Sequence, residues 1–249
     1  MTRPTASLVF LLVVARAAAA QTDSAPSPFA PGERMEYAVT YGPIAAGSMT
    51  IRVAGLEPYE GRSAYHLVFE AQTNRAVSLF FDLATTEESW FDAGELYSLR
   101  YRREAVENGK DRQEDIRFDQ QNHLRIEADG DTKPASPRAV DPIAMMYYLR
   151  TLPLRRGAAF VLRNQANPDD NPVKVRVLKE ERVRVPAGTF DTYVIDLDVK
   201  TSRGFFKKGG DNRIWMTKDE HRIPVRISSK VGLGSFHAEL VELSEGESS

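Results

Sequence analysis

The alternation of apolar and polar residues limits the folds open to this chain more than any other feature. Met35, Tyr37, Val39 and Tyr41 are interleaved with Glu36, Ala38 and Thr40, and Met49, Ile51 and Val53 with Thr50 and Arg52. Period two marks a strand with one buried and one solvated face. The pattern returns at Tyr65–Ala71, Tyr97–Tyr101, Tyr193–Val199 and Phe236–Leu243, and Trp90 and Trp215 sit in two further short strands. Between these stretches lie turn residues: Gly42 and Pro43, Gly55 to Gly61, Asn108 and Gly109, and Pro186, Ala187 and Gly188. Such spacers are of hairpin length, and about a dozen strands at intervals of about 8 to 12 residues predict one antiparallel all-β domain. After residue 158 the pattern predicts three short strands, 159–162, 173–178 and 181–185.

One stretch breaks the pattern. Asp141 to Gly157, DPIAMMYYLRTLPLRRG, reads as the only well-marked helix. Asp141 is an N-cap whose carboxylate can take orphan backbone N–H groups, and Pro142 occupies the first helical position. Pro153 ends the helix, and Arg155, Arg156 and Gly157 follow near the negative end of its dipole. Its apolar band, Ile143, Met145, Met146, Tyr147, Tyr148, Leu149 and Leu152, covers most of its surface and so demands burial. A lone apolar helix in a β chain predicts a strongly curved sheet, a half-open or spiral β-barrel, whose open end the helix caps or plugs. Arg150 lies at the end of this band. A buried guanidinium needs a carboxylate or carbonyl fork, so it either anchors the helix to the sheet or meets a ligand's acidic head group.

Segment 74–82, NRAVSLFFD, fits either a helical turn or an irregular strand that sets Leu79, Phe80 and Phe81 at a rim. Residues 128–138 read as a polar loop leading into the helix.

At the N-terminus, Arg3, the apolar run from Leu8 to Val14 and the alanines 17–20 form a secretory signal peptide, with cleavage expected after Ala20. Residues 21–31 read as a flexible leader, 32–243 as the single domain and 244–249 as a loose tail. No cysteine stands at the cleavage point for lipid attachment, and no later run reaches the ~18 apolar residues of a membrane span. The expected location is the periplasm. Losing Arg3 and Arg16 with the signal takes 33 basic residues to 31, against 35 acidic, for a net charge of −4. Signs are interspersed along the chain, with no basic block of the kind nucleic acid requires, so none is expected as a partner.

Candidate chemistry is sparse. The absence of cysteine excludes thiolate metal sites and cysteine nucleophiles. His66, His123, His221 and His237 lack metal-ligand spacing, and there is no G-x-S-x-G nucleophile motif. Asp196 and Asp198 stand roughly 7 Å apart on one strand face, within glycosidase range, but that face is the solvated one. Asp169, Asp170 and Asn171 read as a solvated turn. No catalytic residue, metal or cofactor is therefore assigned. The candidate ligand-binding residues are Arg150, Tyr37, Tyr41, Phe69, Tyr101 and Trp215.

Three stretches, GERMEYAVTYGPIAAGSMTIRV, DPIAMMYYLRTLPLRRG, and VPAGTFDTYVIDLDV with IWMTKDEHRIPVRI, resemble a family of exported bacterial proteins known as domain of unknown function 3108. The resemblance implies a β-rich envelope protein with no agreed activity. By looser analogy it implies the half-open barrels of lipoprotein carriers, whose concave face holds acyl chains. The leading expectation is a non-enzymatic envelope protein holding a lipid or other hydrophobic molecule in an apolar groove. The first alternative is a structural or interaction module with a solid core and an envelope protein or peptidoglycan partner. The second alternative is an envelope hydrolase.

Overall fold

A computed structural model describes residues 27–201, 206–231 and 234–246. The expected signal peptide, the leader up to residue 26 and tail residues 247–249 lie outside these. The first eight strands are β1 (Arg34–Tyr41), β2 (Ile44–Tyr59), β3 (Arg62–Thr73), β4 (Leu83–Asp92), β5 (Ser98–Glu107), β6 (Lys110–Asp119), β7 (Leu124–Glu127) and β8 (Thr132–Pro134). Helix α1 (Pro142–Thr151) follows. The chain then returns through β9 (Ala159–Leu162), β10 (Val173–Val185), β11 (Gly188–Asp198), β12 (Asn212–Thr217), β13 (Pro224–Val231) and β14 (Gly234–Ser244).

The fourteen strands of the described residues belong to one antiparallel sheet in the order β8-β7-β6-β5-β4-β3-β2-β1-β14-β13-β12-β11-β10-β9. Two meanders are thus joined side by side where the first strand pairs with the last, Arg34 opposite Ser244 and Tyr41 opposite Phe236. The expected all-β, strongly curved sheet is present, with one α-helix among the described residues, and it does not close into a barrel. Its curvature shows in the second meander. The β10–β11 turn reaches across to β14, Ala187 N–H donating to the Leu240 carbonyl at 3.0 Å, and Arg226 on β13 donates to the Arg184 carbonyl. Both edges of the sheet are short, β8 with three residues and β9 with four, which leaves little free backbone for pairing with another chain. Segment 135–140 runs between them. Ala139 accepts from Ser98 N–H, while Val140 forms a parallel bridge with Gln165.

α1 lies across the end of the sheet where β4 finishes and β5 and β1 begin. Asp141 caps it as its residue type predicts, Oδ1 accepting from the Ile143 and Ala144 N–H groups. Oδ2 accepts from the hydroxyls of Ser89 on β4 and Ser98 on β5, at 2.5 and 2.6 Å. At the other end Arg150 is buried, and its guanidinium makes a bidentate pair with Glu33 at 2.6 and 2.7 Å. It also donates to the His221 and Pro28 carbonyls. In return Arg222, in the β12–β13 corner, donates to the Arg150 carbonyl. Between these locks Ile143, Ala144, Tyr147 and Leu149 join Met35, Tyr37, Ile51, Val53, Leu67 and Phe91 in the main core.

Three expectations need correcting. Residues 27–31 are not loose leader: Phe29 is buried, with its ring 5.0 Å from Tyr65 and 4.9 Å from Tyr147, because a single aromatic beside the helix repays ordering of the chain. Strands 173–178 and 181–185 are one strand, β10, kinked by a bulge between Val177 and Lys179 that the alternation reads as a break. Loop 128–138 contains β8, whose exposed residues give no periodic signal.

Replacing Arg150 by Met is expected to cost about 3–5 kcal/mol in urea unfolding, since it strands a buried carboxylate and leaves carbonyls unpaired. Adding Glu33→Leu to that variant should restore part of the loss. Additive losses would show that the two side chains do not act as a pair.

Candidate functional site

With one end of the sheet closed by α1, the other end carries the turns after β1, β3, β5 and β13. Below this open end a cleft of about 490 Å3 crosses β2 to β6, lined by residues 48–50, 70–72, 84–86, 104–106 and 111–113. The central residue of each triplet belongs to one cross-strand row, Met49, Ala71, Thr85, Ala105 and Arg112. Met49, Thr85 and Ala105 are buried, and Met49 alternates with the core residues Ile51 and Val53. Ala71, Thr85 and Ala105 are too short to fill the row as Phe69 and Tyr101 fill the rows beneath it. This central row is also graded, from Met49 and Ala71 on β2 and β3 to Arg112 on β6, where Asp111 and Gln113 flank it. Arg112 is exposed and makes no ion pair among the described residues.

The next row toward the helix is Met35, Ile51, Phe69, Glu87, Arg103 and Glu114. Its β1–β3 half is apolar and its β4–β6 half is ionic. Tyr101 donates to Glu87 at 2.8 Å, Arg103 lies 3.5 Å from Glu87 and 3.6 Å from Glu114, and Arg103 also pairs with Glu107. Burial pushes the Glu87 carboxyl above the usual range; the Tyr101 hydrogen bond and Arg103 oppose this, and the nearby Asp141 adds to it. Burial likewise raises Asp141 despite the four hydrogen bonds that its carboxylate accepts.

The residues singled out from sequence are dispersed. Arg150 is fully enclosed by Glu33 and backbone carbonyls at the helix end, away from the cleft. Tyr37 extends the cleft row onto β1, paired with Met49, but its hydroxyl donates to the Pro224 carbonyl. Phe69 and Tyr101 floor the region next to the cleft, and Tyr41 lies on the open rim with its ring 4.8 Å from Phe236. Trp215 stands apart, donating to Glu181 under the Arg226 guanidinium. Asp196 and Asp198 pair with Arg176 and Lys174. His66 contacts Glu88 and stacks on Trp90. The groove expected to be apolar is therefore mixed in character: its polar end comes from β6, a strand whose charged sequence reads as a solvated edge but which lies inside the sheet between β5 and β7. Glu87, Arg103 and Arg112 escaped the sequence reading, although alternation with Thr85, Ser89, Tyr101 and Ala105 gives them their face.

A family model described as "Protein of unknown function (DUF3108)" matches residues 36–241. No curated protein matches the chain. Among solved structures, a β-barrel-like protein of domain of unknown function DUF1849 from Brucella abortus is similar, with a TM-score of 0.55 and 12% identity, over 87% of this chain and 98% of that one. An exported protein described as having a YmcC-like fold, from Bacteroides fragilis, gives 0.33 and 13% over 88% and 98%. A Parabacteroides distasonis protein described as a lipoprotein gives 0.31 and 12% over 87% and 98%. The first of these shows a shared fold and, at that identity, the fold alone.

An acid held above its unfolded value keeps its proton longer in the native state, so its contribution weakens stability as pH rises from about 4 through the raised value. Glu87→Gln removes that contribution. In urea titrations from acidic to neutral pH, the variant's stability relative to wild type should rise with pH; a pH-independent difference would show that Glu87 titrates normally.

Proposed function

The chain belongs to the DUF3108 family, and from that premise we propose that it is a non-enzymatic envelope protein that holds an amphiphilic envelope molecule in the cleft across β2 to β6. The observation that carries this reading is the gradient along the cleft. Met49 and Ala71 offer an apolar end, and Arg112, a cation with no ion pair among the described residues, offers a site for an acidic head group. The signal-peptide pattern of residues 1–20 supports export, and the helix-closed end leaves the opposite end as the way in. Nucleophile motifs are missing from the sequence, and Glu87, a half-buried acid in the row next to the cleft, is engaged by Tyr101 and Arg103. This favours holding a molecule over converting it.

A second reading follows from how completely α1 fills its end of the sheet. Ile143, Ala144, Tyr147 and Leu149 leave the core solid there. In this reading the protein is a structural or interaction module whose surface meets an envelope protein or peptidoglycan.

Protein purified from its native envelope without detergent, then analysed by native mass spectrometry and lipid extraction, separates the two. The first reading expects a reproducible bound amphiphile that Arg112→Ala loses at least in part. Repeated recovery of empty protein, with crosslinks from surface positions to one specific partner, would support the second and contradict the first.

A further inference from the structure

The open rim carries an apolar tip that the cleft does not use. In the β3–β4 loop Leu79 is 79% exposed, Phe80 91% and Phe81 46%, and Ile44 at the start of the neighbouring β2 is 57% exposed. Three consecutive large apolar side chains on one loop are unlike singly scattered surface residues, which need no explanation. The loop is a built feature. The Asn74 side chain accepts from the Ala76 and Val77 N–H groups and donates to the Ala45 carbonyl, tying the loop to the start of β2 beside Ile44. Ser78 N–H is bonded to the Asn74 carbonyl, Phe80 and Phe81 N–H to that of Val77, and Asp82 N–H to the Asn108 side chain. Most of the loop's donors are thus satisfied within the protein. That is the condition a segment must meet to leave water for hydrocarbon, because there each unsatisfied backbone group costs several kcal/mol.

Charge on the same rim has a matching sign. From the β5–β6 turn round to the start of β12, Arg75, Lys110, Lys208 and Lys230 are exposed cations on the same end of the sheet as the tip. Glu107 is paired with Arg103 and Asp211 with Arg213, so only Asp82 and Asp111 remain as carboxylates without an ion pair along that arc, among the described residues.

We propose that this rim docks on a bilayer bearing anionic head groups, with Leu79, Phe80, Phe81 and Ile44 entering the acyl boundary and the rim lysines and Arg75 meeting the phosphates. The proposal stands whether or not the cleft holds a ligand. Docking would turn the open end, and so the cleft, toward the membrane.

Co-sedimentation of the full-length protein with vesicles tests it. All variants share the same N-terminal region, so differences between them report on the rim. On vesicles of phosphatidylethanolamine and phosphatidylglycerol, Phe80→Asp should weaken binding about tenfold or more, given the apolar surface of one phenylalanine. Lys208→Ala and Lys230→Ala should each cost about fivefold there, and should have little effect on vesicles of phosphatidylcholine alone. Leu56→Ser, at the other end of β2, should bind as wild type does. Phe80 is almost wholly exposed, so its variant should fold, which circular dichroism checks. Failure of wild type to bind, or equal binding by wild type and Phe80→Asp, would overturn the proposal. So would vesicle binding unaffected by Phe80→Asp while the same change dissolves a dimer in sedimentation, which would assign the tip to a second copy of the chain.

Discussion

A fully buried guanidinium at the end of an apolar helix is the constraint on which the architecture turns. Arg150 cannot shed its charge, so its burial requires partners that fill its donors, and the chain supplies them from two distant places: Glu33 and Pro28 before the first strand, and His221 in the β12–β13 corner. Satisfying one side chain thereby fixes the segment before β1, the helix and the second meander against one another. Such a pair adds less to stability than its geometry implies, because desolvation offsets most of the attraction. Its larger effect is on uniqueness, since any other seating of the helix leaves a charge stranded in the core. Asp141 plays the matching role at the opposite helix end, joining α1 to β4 and β5 through two serine hydroxyls.

From this closed end the interior changes character along the strands. Rows next to the helix are filled by Leu67, Tyr101, Ile116 and the helix itself, then comes a row half apolar and half ionic, and then the short side chains that leave the cleft. The same gradient separates mechanical roles. Core packing and buried pairs hold the helix end, whereas the other end is made of hairpin turns and the exposed β3–β4 tip. A protein that must keep its shape while engaging a molecule or surface is served by placing contact at the end that contributes least to its stability.

Much of this was legible in the sequence, for identifiable reasons. Alternation gave most strands and their faces, and Asp141 with Pro142 gave the helix start, because both are local signals. Segment 74–82 left a helical turn and an irregular strand both open, because three adjacent apolar residues fit neither period; it is a turn, with Leu79, Phe80 and Phe81 exposed on the rim. What stayed hidden depends on register. Whether Arg150 faces a carboxylate or a ligand turns on Glu33, 117 residues away, and no spacing rule connects them. Phe29 looked like leader because its neighbours are Pro, Ser and Ala; the pocket it fills, between Tyr65 and Tyr147, is built by other elements. The charges of β6 read as an edge, but β7 and β8 lie beyond it, and its residues Asp111, Arg112 and Gln113 give the cleft its polar end.

The central claim, that α1 is locked across one end of the sheet as part of its core, is most directly tested by amide hydrogen exchange resolved along the chain. The account predicts that the α1 amides from Met145 to Leu149 exchange only with global unfolding, as slowly as the central strands β1 and β2, while the 74–82 loop exchanges far faster. Helix amides that exchange through local opening, well ahead of those strands, would contradict it.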